Sequence, residues 1–323
     1  MSGAYFMRRL FQTAVLMFVV ITLNFFLPRV MPGDPARHYY EDPRLSEEAR
    51  QEIKALFGLD KPLSYQYFAY LKNLFRGELG VSYTYRRPVM QVISSRIPWT
   101  VALTASASLI SIAGGIIYGA YAAWRRGGTA ESALLASAII VSAMPTFWFA
   151  LLLVMLFAFT LKWLPAFGMV TPGLARGLNL PFLASVARHA FLPVVSMALS
   201  GIIGYAVLVR NSMIDVTSED FVRTARAKGL NSRVVLYKHA FRNAMLPLVT
   251  RIGLSLSGII GGAVIIETIF SWEGMGLLII EASRSLDYPL MQGTMLILAT
   301  ITVLANFATD LVYAQLDPRV QLK

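Results

Sequence analysis

Six stretches of this chain are long and apolar enough to cross a lipid bilayer: residues 10–30, 100–124, 132–161, 189–209, 246–266 and 290–312. A hydrocarbon core about 30 Å thick needs about 20 apolar residues in a helix. Lipid offers backbone groups no partner, so runs of this kind fold as helices that satisfy their own N–H and C=O groups. Among charged residues only Arg29, Arg251 and Asp310 fall within the runs, all near the ends. Charged residues therefore make up 15% of the chain and hydrophobic ones 56%, against about 25% charged in a soluble domain. That excludes a soluble globular protein and a disordered one. The first run follows Arg8-Arg9, as a secretory signal would, but no Ala-x-Ala-like site follows it, so it reads as a retained helix.

The formal net charge is +11. In a soluble protein that excess points to nucleic acid. In a membrane protein it marks cytoplasmic loops. With the N-terminus inside, the cytoplasmic segments hold 14 basic and 6 acidic residues. The outer segment 28–99 holds 11 basic and 8 acidic residues, but loops above about 60 residues translocate regardless of charge. The outer loop 162–188, with Lys162, Arg176 and Arg188, runs mildly against the rule. The expectation is an all-α membrane protein with six transmembrane helices, both termini cytoplasmic and no nucleic-acid partner. It divides into an N-terminal transmembrane helix (1–31), an extracytoplasmic helical loop (32–99), a transmembrane core (100–314) with a cytoplasmic segment at 212–246, and a cytoplasmic tail (315–323).

The outer segment predicts three short helices. The first runs from Ser46 to Gly58, with Ala49, Ile53, Leu56 and Phe57 on one face. The second starts at Pro62 and ends at Gly77, with Tyr65, Phe68, Leu71 and Phe75 aligned. The third opens at Pro88 and closes before Pro98. They either pack on the membrane core or dock an external partner. The cytoplasmic segment is more telling. Ser218 suits an N-cap, Glu219 and Asp220 suit the positive end of a helix dipole, and Gly229 suits a left-handed C-terminal cap. A short helix from Glu219 to Lys228 is expected, lined by Phe221, Ala225 and Ala227. A second runs from Asn231 or Ser232 to Met245, with Val234, Tyr237 and Phe241 on one face. The pair reads as a basic loop at anionic lipid or as a lever pressing on a cytoplasmic partner.

Several chemistries are missing from the sequence. There is no G-x-x-x-x-G-K-[ST] loop and no Gly-Lys pair, so the chain holds no P-loop ATP site; Leu256-Ser257-Gly258 lies inside a run. No ionisable residue sits mid-span, which argues against a proton-coupled carrier. His38, His189 and His239 lack ligand partners at helical spacing, and cysteine is absent, so no metal site is expected. Glu267, Glu281 and Asp287 read as a solvated outer cluster or latch rather than paired catalytic carboxylates. Asn24 lies deep in the first run and either lines a path or bonds a neighbouring helix. Gly114-Gly115, Gly119, Gly201, Gly204, Gly253, Gly258, Gly261-Gly262, Pro145 and Pro193 put close packing and kinks inside the runs.

A series of short motifs carries a resemblance. Pro32-Gly33-Asp34-Pro35, Gly58-Leu59-Asp60-Lys61-Pro62, Gly77-Glu78-Leu79-Gly80-Val81-Ser82 and Arg87-Pro88-Val89 follow the first run. Leu164-Pro165-Ala166-Phe167-Gly168 follows the third. Then come Asp220-Phe221-Val222-Arg223-Thr224-Ala225-Arg226-Ala227-Lys228-Gly229-Leu230, Arg242-Asn243-Ala244, Leu246-Pro247, Glu267-Thr268-Ile269-Phe270, Gly274-Met275-Gly276, Asp287-Tyr288-Pro289 and Leu316-Asp317-Pro318-Arg319. In this order they resemble the permease subunits of ABC importers for dipeptides, oligopeptides and nickel. The general importer motif, Glu-Ala-Ala then Gly, reads here Arg223, Thr224, Ala225 and Gly229, as is usual in the peptide and nickel branch. Any role of the missing glutamate is not implied.

The resemblance implies the type I ABC importer permease fold in the bacterial inner membrane. It implies a second homologous permease subunit, two ABC ATPase subunits that bind ATP and Mg, and an extracytoplasmic substrate-binding protein. The chain itself would need no cofactor and would not be an enzyme. Residues Phe221, Arg223, Thr224, Ala225, Arg226, Ala227, Lys228 and Gly229 would couple to an ATPase, and Arg242, Asn243 and Pro247 would close the coupling segment. Asn24, Pro145, Gly258, Gly262 and Glu267 are candidate gate or path residues. The expected cargo is peptide; a nickel or metal chelate, or an oligosaccharide, are the alternatives within the family. Outside it stand a secondary carrier and, more remotely, a membrane-embedded hydrolase.

Overall fold

A computed structural model describes residues 3–30, 46, 48, 51, 60–177, 179–231, 234–235, 240–245, 247–249, 251–253 and 264–316. The first span forms α1 (Gly3–Val30). Most of its apolar side chains face outward, as expected of a lipid-facing helix; Phe11 is 70% exposed. Its long-range partner along its length is the last helix, α11 (Tyr288–Leu316). Arg9 pairs with Asp310 at 3.2 Å near one end. Near the other, Asn24 Nδ2 donates to the Gln292 carbonyl at 2.9 Å and Gln292 Nε2 donates back to the carbonyls of Asn24 and Phe25. Asn24 is thus a cross-helix staple.

The outer helix α2 (Leu63–Phe75) leans on the end of α1. It does so with a different face from the one expected. Tyr67 and Tyr70 stack on Phe25 with centroids 5.1 and 5.5 Å apart, and the Tyr67 hydroxyl bonds Thr22 at 2.8 Å. Tyr65, Phe68 and Phe75 are exposed. Tyr67 and Tyr70 bring two hydroxyls to the polar groups of α1, Thr22 and Asn24, where the expected face has a single one at Tyr65. Of the predicted helix from Ser46 to Gly58 only Ser46, Glu48 and Gln51 are described, the latter two as helical, and the Pro32–Pro35 motif lies outside the described residues.

The expected stop before Pro98 is absent. One helix, α3 (Val89–Trp124), continues through Pro98 for 36 residues and merges the third outer helix with the second span. Proline removes one N–H, but packing in a membrane helix re-satisfies the freed groups. The third run is broken. It consists of α4 (Thr129–Ala143) and α5 (Thr146–Leu153) with a π-helical continuation (Val154–Thr160), bent by 100° at Met144-Pro145. Pro145 lies at this bend. The fourth run belongs to α6 (Leu180–Thr217), 38 residues long and continuous through Pro193.

Helices α3 and α6 run parallel and form the centre. Trp99 meets Phe182 near their N-terminal ends, while Gly114 approaches Ile202, Gly115 approaches Tyr205 and Gly119 approaches Ala206 and Val209 further along. A Cβ on Gly115 or Gly119 would overlap the facing backbone or Cβ, and one on Gly201 would overlap Ser111. Glycine is required because these two backbones touch. Gly204, by contrast, faces open space. Parallel neighbours need one return crossing between them, and the bent pair supplies it. Leu134 of α4 packs with Ala122 and Ala206; Ala150 and Val154 pack with Leu192 at the other end.

Among the described residues four helices are long and apolar enough to span a membrane, five with the bent pair. Most of the run 246–266, including Gly258, Gly261 and Gly262, lies outside the described residues. At its end comes α9 (Val264–Ile269), whose Ile266 packs with Ala150, Val154 and Leu192, followed by α10 (Met275–Arg284), which packs with the start of α11 against the first turns of α3.

Candidate coupling site

The central helix α6 ends at Thr217, and only Ser218 and Glu219 separate it from a short helix, α7 (Asp220–Ala227). Ser218 does not cap α7. Its hydroxyl donates to the Asp215 carbonyl at 2.6 Å and so closes α6. The first turn of α7 is held instead by the Glu219 carbonyl, which accepts from the N–H groups of Val222 and Arg223 at 3.0 and 3.2 Å. The expected C-terminal cap is present. Gly229 has φ +73°, and the Leu230 N–H reaches back to the Ala225 carbonyl at 3.4 Å. This is the six-residue closure that a left-handed residue permits.

An eight-residue helix is too short to persist alone. A private apolar cluster holds it: Val222, Ala225, Val235 and Ala240 are buried together, with Val216 of α6 alongside. Ala225 is therefore an inward packing residue, 6% exposed, and not an outward one. The outward surface carries Phe221, Arg223, Thr224, Ala227, Lys228 and Gly229. Phe221 is 42% exposed, a large aromatic ring left in water. The Arg223–Asp220 pair at 3.6 Å is open to solvent and contributes little. Of Arg226 only the helical backbone is described. After the cluster, α8 (Phe241–Ala244) returns the chain to α6, where Ala244 and Leu248 pack with Tyr205, Val209 and Met213. Arg242, Asn243 and Pro247 remain on the exposed side. Tyr237 and His239 lie outside the described residues.

One anchor was not foreseen in the sequence. Glu131, in the first turn of α4, accepts from Gly127 N–H at 2.6 Å and is ion-paired with Arg210 of α6. Arg210 in turn bonds Asn211 at 2.8 Å. The pair ties the Arg125–Gly128 turn to the helix that ends in α7. A carboxylate at the threshold of an apolar run was the available signal.

The three outer carboxylates are neither a solvated cluster nor a catalytic pair. Glu267 is fully buried and accepts from Thr100 Oγ1 (2.8 Å), Gly276 N–H (2.7 Å) and Leu277 N–H (3.2 Å). It serves as a remote cap for α10. Gly274 and Gly276 are glycines because a Cβ at either would overlap Glu267 or the Val264 backbone. Asp287 is also fully buried; it accepts from Ser82 Oγ and Thr84 N–H and caps α11 through Leu290 N–H at 3.1 Å. Glu281 accepts from the Tyr85 hydroxyl at 2.9 Å. Each carboxylate is committed to a separate structural bond. His189 bonds the Ser185 carbonyl at 2.8 Å as a core residue, and no group of potential metal ligands occurs among the described residues.

Family models for the inner membrane component of binding-protein-dependent transport systems match residues 115–322, and for its N-terminal part residues 3–104. The chain belongs to this family. Among its relatives, a probable peptide ABC transporter permease from Sinorhizobium fredii is 35% identical, with 99% of each chain aligned. A di/tripeptide transport system permease from Pseudomonas aeruginosa is 36% identical over 98% of each. An oligopeptide transport system permease from Bacillus subtilis is 33% identical over 99% of each. The membrane component of such a system is not its catalytic part.

Proposed function

We propose that this chain is the permease subunit of an ATP-driven, binding-protein-dependent peptide importer. It forms half of the translocation pathway beside a second, homologous permease. Two cytoplasmic ATPases bind ATP and Mg, an external binding protein delivers the cargo, and both termini of this chain lie in the cytoplasm. Peptide is favoured over nickel chelates and oligosaccharides because peptides are what the relatives above are named for. The observation that carries the reading is the join between α6 and α7. A 38-residue helix through the centre of the bundle ends, two residues later, in a short helix with its own core and an exposed aromatic ring. Such a unit transmits a push without bending.

Phe221, Arg223, Thr224, Ala227 and Lys228 face an ATPase groove. Movement of α7 on ATP-driven closure tilts α6, and its glycine contact obliges α3 to follow. Coupling requires that ATP and the partner distinguish the two states of the bundle. The test is purification of the tagged chain from its native membrane followed by uptake in proteoliposomes. Co-purifying ATP-binding subunits and peptide uptake that stops on ATP depletion are expected. Uptake that persists without ATP under a held ion gradient would mean a secondary carrier.

A further inference from the structure

A cleft of about 410 Å³ opens at the end of the bundle opposite α7, within the size range of small-molecule sites. Its wall combines the first turns of α3 with the loop before α6 and the residue before Gly274: Arg87, Arg96, Trp99, Arg176 and Glu273, with Tyr85 at the side. Three guanidinium groups and one carboxylate line it. Glu273 takes Arg96 at 2.9 Å and Arg176 at 3.1 Å. Arg96, only 15% exposed, is also turned toward the Tyr85 hydroxyl at 3.4 Å and is the most enclosed of the three. Arg176 is 64% exposed and keeps free donors. Arg87 is exposed and makes no side-chain bond among the described residues. The floor is rigid, because Trp272 Nε1 donates to the Trp99 carbonyl at 3.0 Å and Glu267 pins the start of α10.

We infer that this cleft receives the C-terminal carboxylate of a short peptide entering the pathway, an inference that rests on the peptide-importer reading. Guanidinium forks match a carboxylate in two parallel bonds, and Arg87 with the outer edge of Arg176 are the ones left open. Glu273 keeps Arg96 and Arg176 in place while the cleft is empty and offers an acceptor to peptide N–H groups. Trp99 and Tyr85 supply apolar walls for a side chain. The cleft holds a surplus of positive charge, so it selects an anionic end over a cationic one.

The experiment compares uptake of a tripeptide and its C-terminal amide by the complete importer in proteoliposomes, with binding protein saturating. The Arg87→Gln and Arg176→Gln variants are each expected to lower free-acid uptake about tenfold more than amide uptake, the loss of one charged hydrogen-bond pair. Equal loss for both peptides, with a rise in the binding-protein concentration needed for half-maximal ATP hydrolysis, would assign the arginines to an acidic patch on the binding protein and overturn the proposal. Unchanged uptake of both would overturn it too. If the wild type imports neither peptide, the peptide reading itself has failed. Calorimetric titration of the purified complex with N-acetyl-dialanine then still reads the cleft: tighter binding to wild type than to Arg87→Gln sustains a carboxylate site, and equal or absent binding refutes it.

Discussion

Replacing Glu267 by alanine should destabilise the outer half of the molecule more than any surface change. The side chain is wholly buried and engages three donors: one hydroxyl and the N–H groups of the second and third residues of α10. Removing it leaves those groups without an acceptor in a site that water does not reach. Each orphaned buried donor costs about 1–3 kcal/mol. Thr100 can rotate, which leaves the two N–H groups and the emptied space as the main loss. About 3–5 kcal/mol is expected for the set. For a chain of this size about 1 kcal/mol moves the melting midpoint by 2–4 °C, so Glu267→Ala should melt roughly 10 °C lower in detergent at a fixed scan rate. Glu267→Gln keeps the shape but turns an NH2 group toward a donor, and an intermediate drop of about 3–5 °C follows by the same scaling. Glu273→Ala, six residues on and partly exposed, should shift the midpoint by no more than about 2 °C, since open ion pairs contribute little. A Glu267→Ala midpoint within 2 °C of wild type would refute the reasoning, for it would mean that the buried carboxylate does not hold α10 in place.

Three other expectations follow from the packing. Phe221→Ala should leave the melting midpoint unchanged while reducing the amount of ATPase that co-purifies several-fold, whereas Ala225→Trp should displace α7 by overfilling its cluster, at about 1–3 kcal/mol, and so expose the 220–240 segment to limited proteolysis. Gly119→Leu should drive α3 from α6 and remove most of the properly assembled protein from size-exclusion chromatography in detergent, because the Cβ alone already overlaps Ala206. Burial and the hydrogen bond to Glu281 hold the Tyr85 hydroxyl above the usual tyrosine range, so its protonated form stabilises the fold below about pH 10 and the contribution is lost only as pH rises through the raised value. Tyr85→Phe should therefore cost about 1 kcal/mol, read as a difference in melting midpoint that stays flat from about pH 6 to pH 9.

The hydropathy of the runs was enough to place four of the spans and the bent pair, because lipid imposes one requirement on every residue in them; the run 246–266 falls mostly outside the described residues. The C-terminal cap of α7 at Gly229 was nearly as legible, since capping is decided within one turn; the N-cap expected at Ser218 was not, because that hydroxyl turns back to close α6. Prolines misled. Pro98 and Pro145 look alike in sequence, yet one is absorbed in a 36-residue helix and the other marks a 100° bend. The difference lies in neighbours that sequence spacing does not name. The same holds for the buried carboxylates. Glu267 finds Thr100 167 positions away and Asp287 finds Ser82 205 positions away, and only the folded chain brings those donors to them. On α2 two aromatic faces competed, and the hydroxyls at Tyr67 and Tyr70 settled the choice. Ala225 was read as an outward small residue because size alone does not tell which side of a short helix is filled.

The pairing of α1 with α11 also sets a clock. Asn24 must wait for Gln292, 268 positions later, and Arg9 must wait longer still for Asp310. At about 5–20 residues per second of synthesis, the first helix sits in the membrane for roughly 13 to 54 seconds before its staple partner has been made. Throughout that interval the Asn24 amide has at most the Tyr70 hydroxyl, 46 positions later, as a native partner, and the segment is free to be claimed by the wrong neighbour, including α11 of an adjacent copy. The step most exposed to failure during biogenesis is therefore the last one, when the beginning of the chain is finally joined to its end.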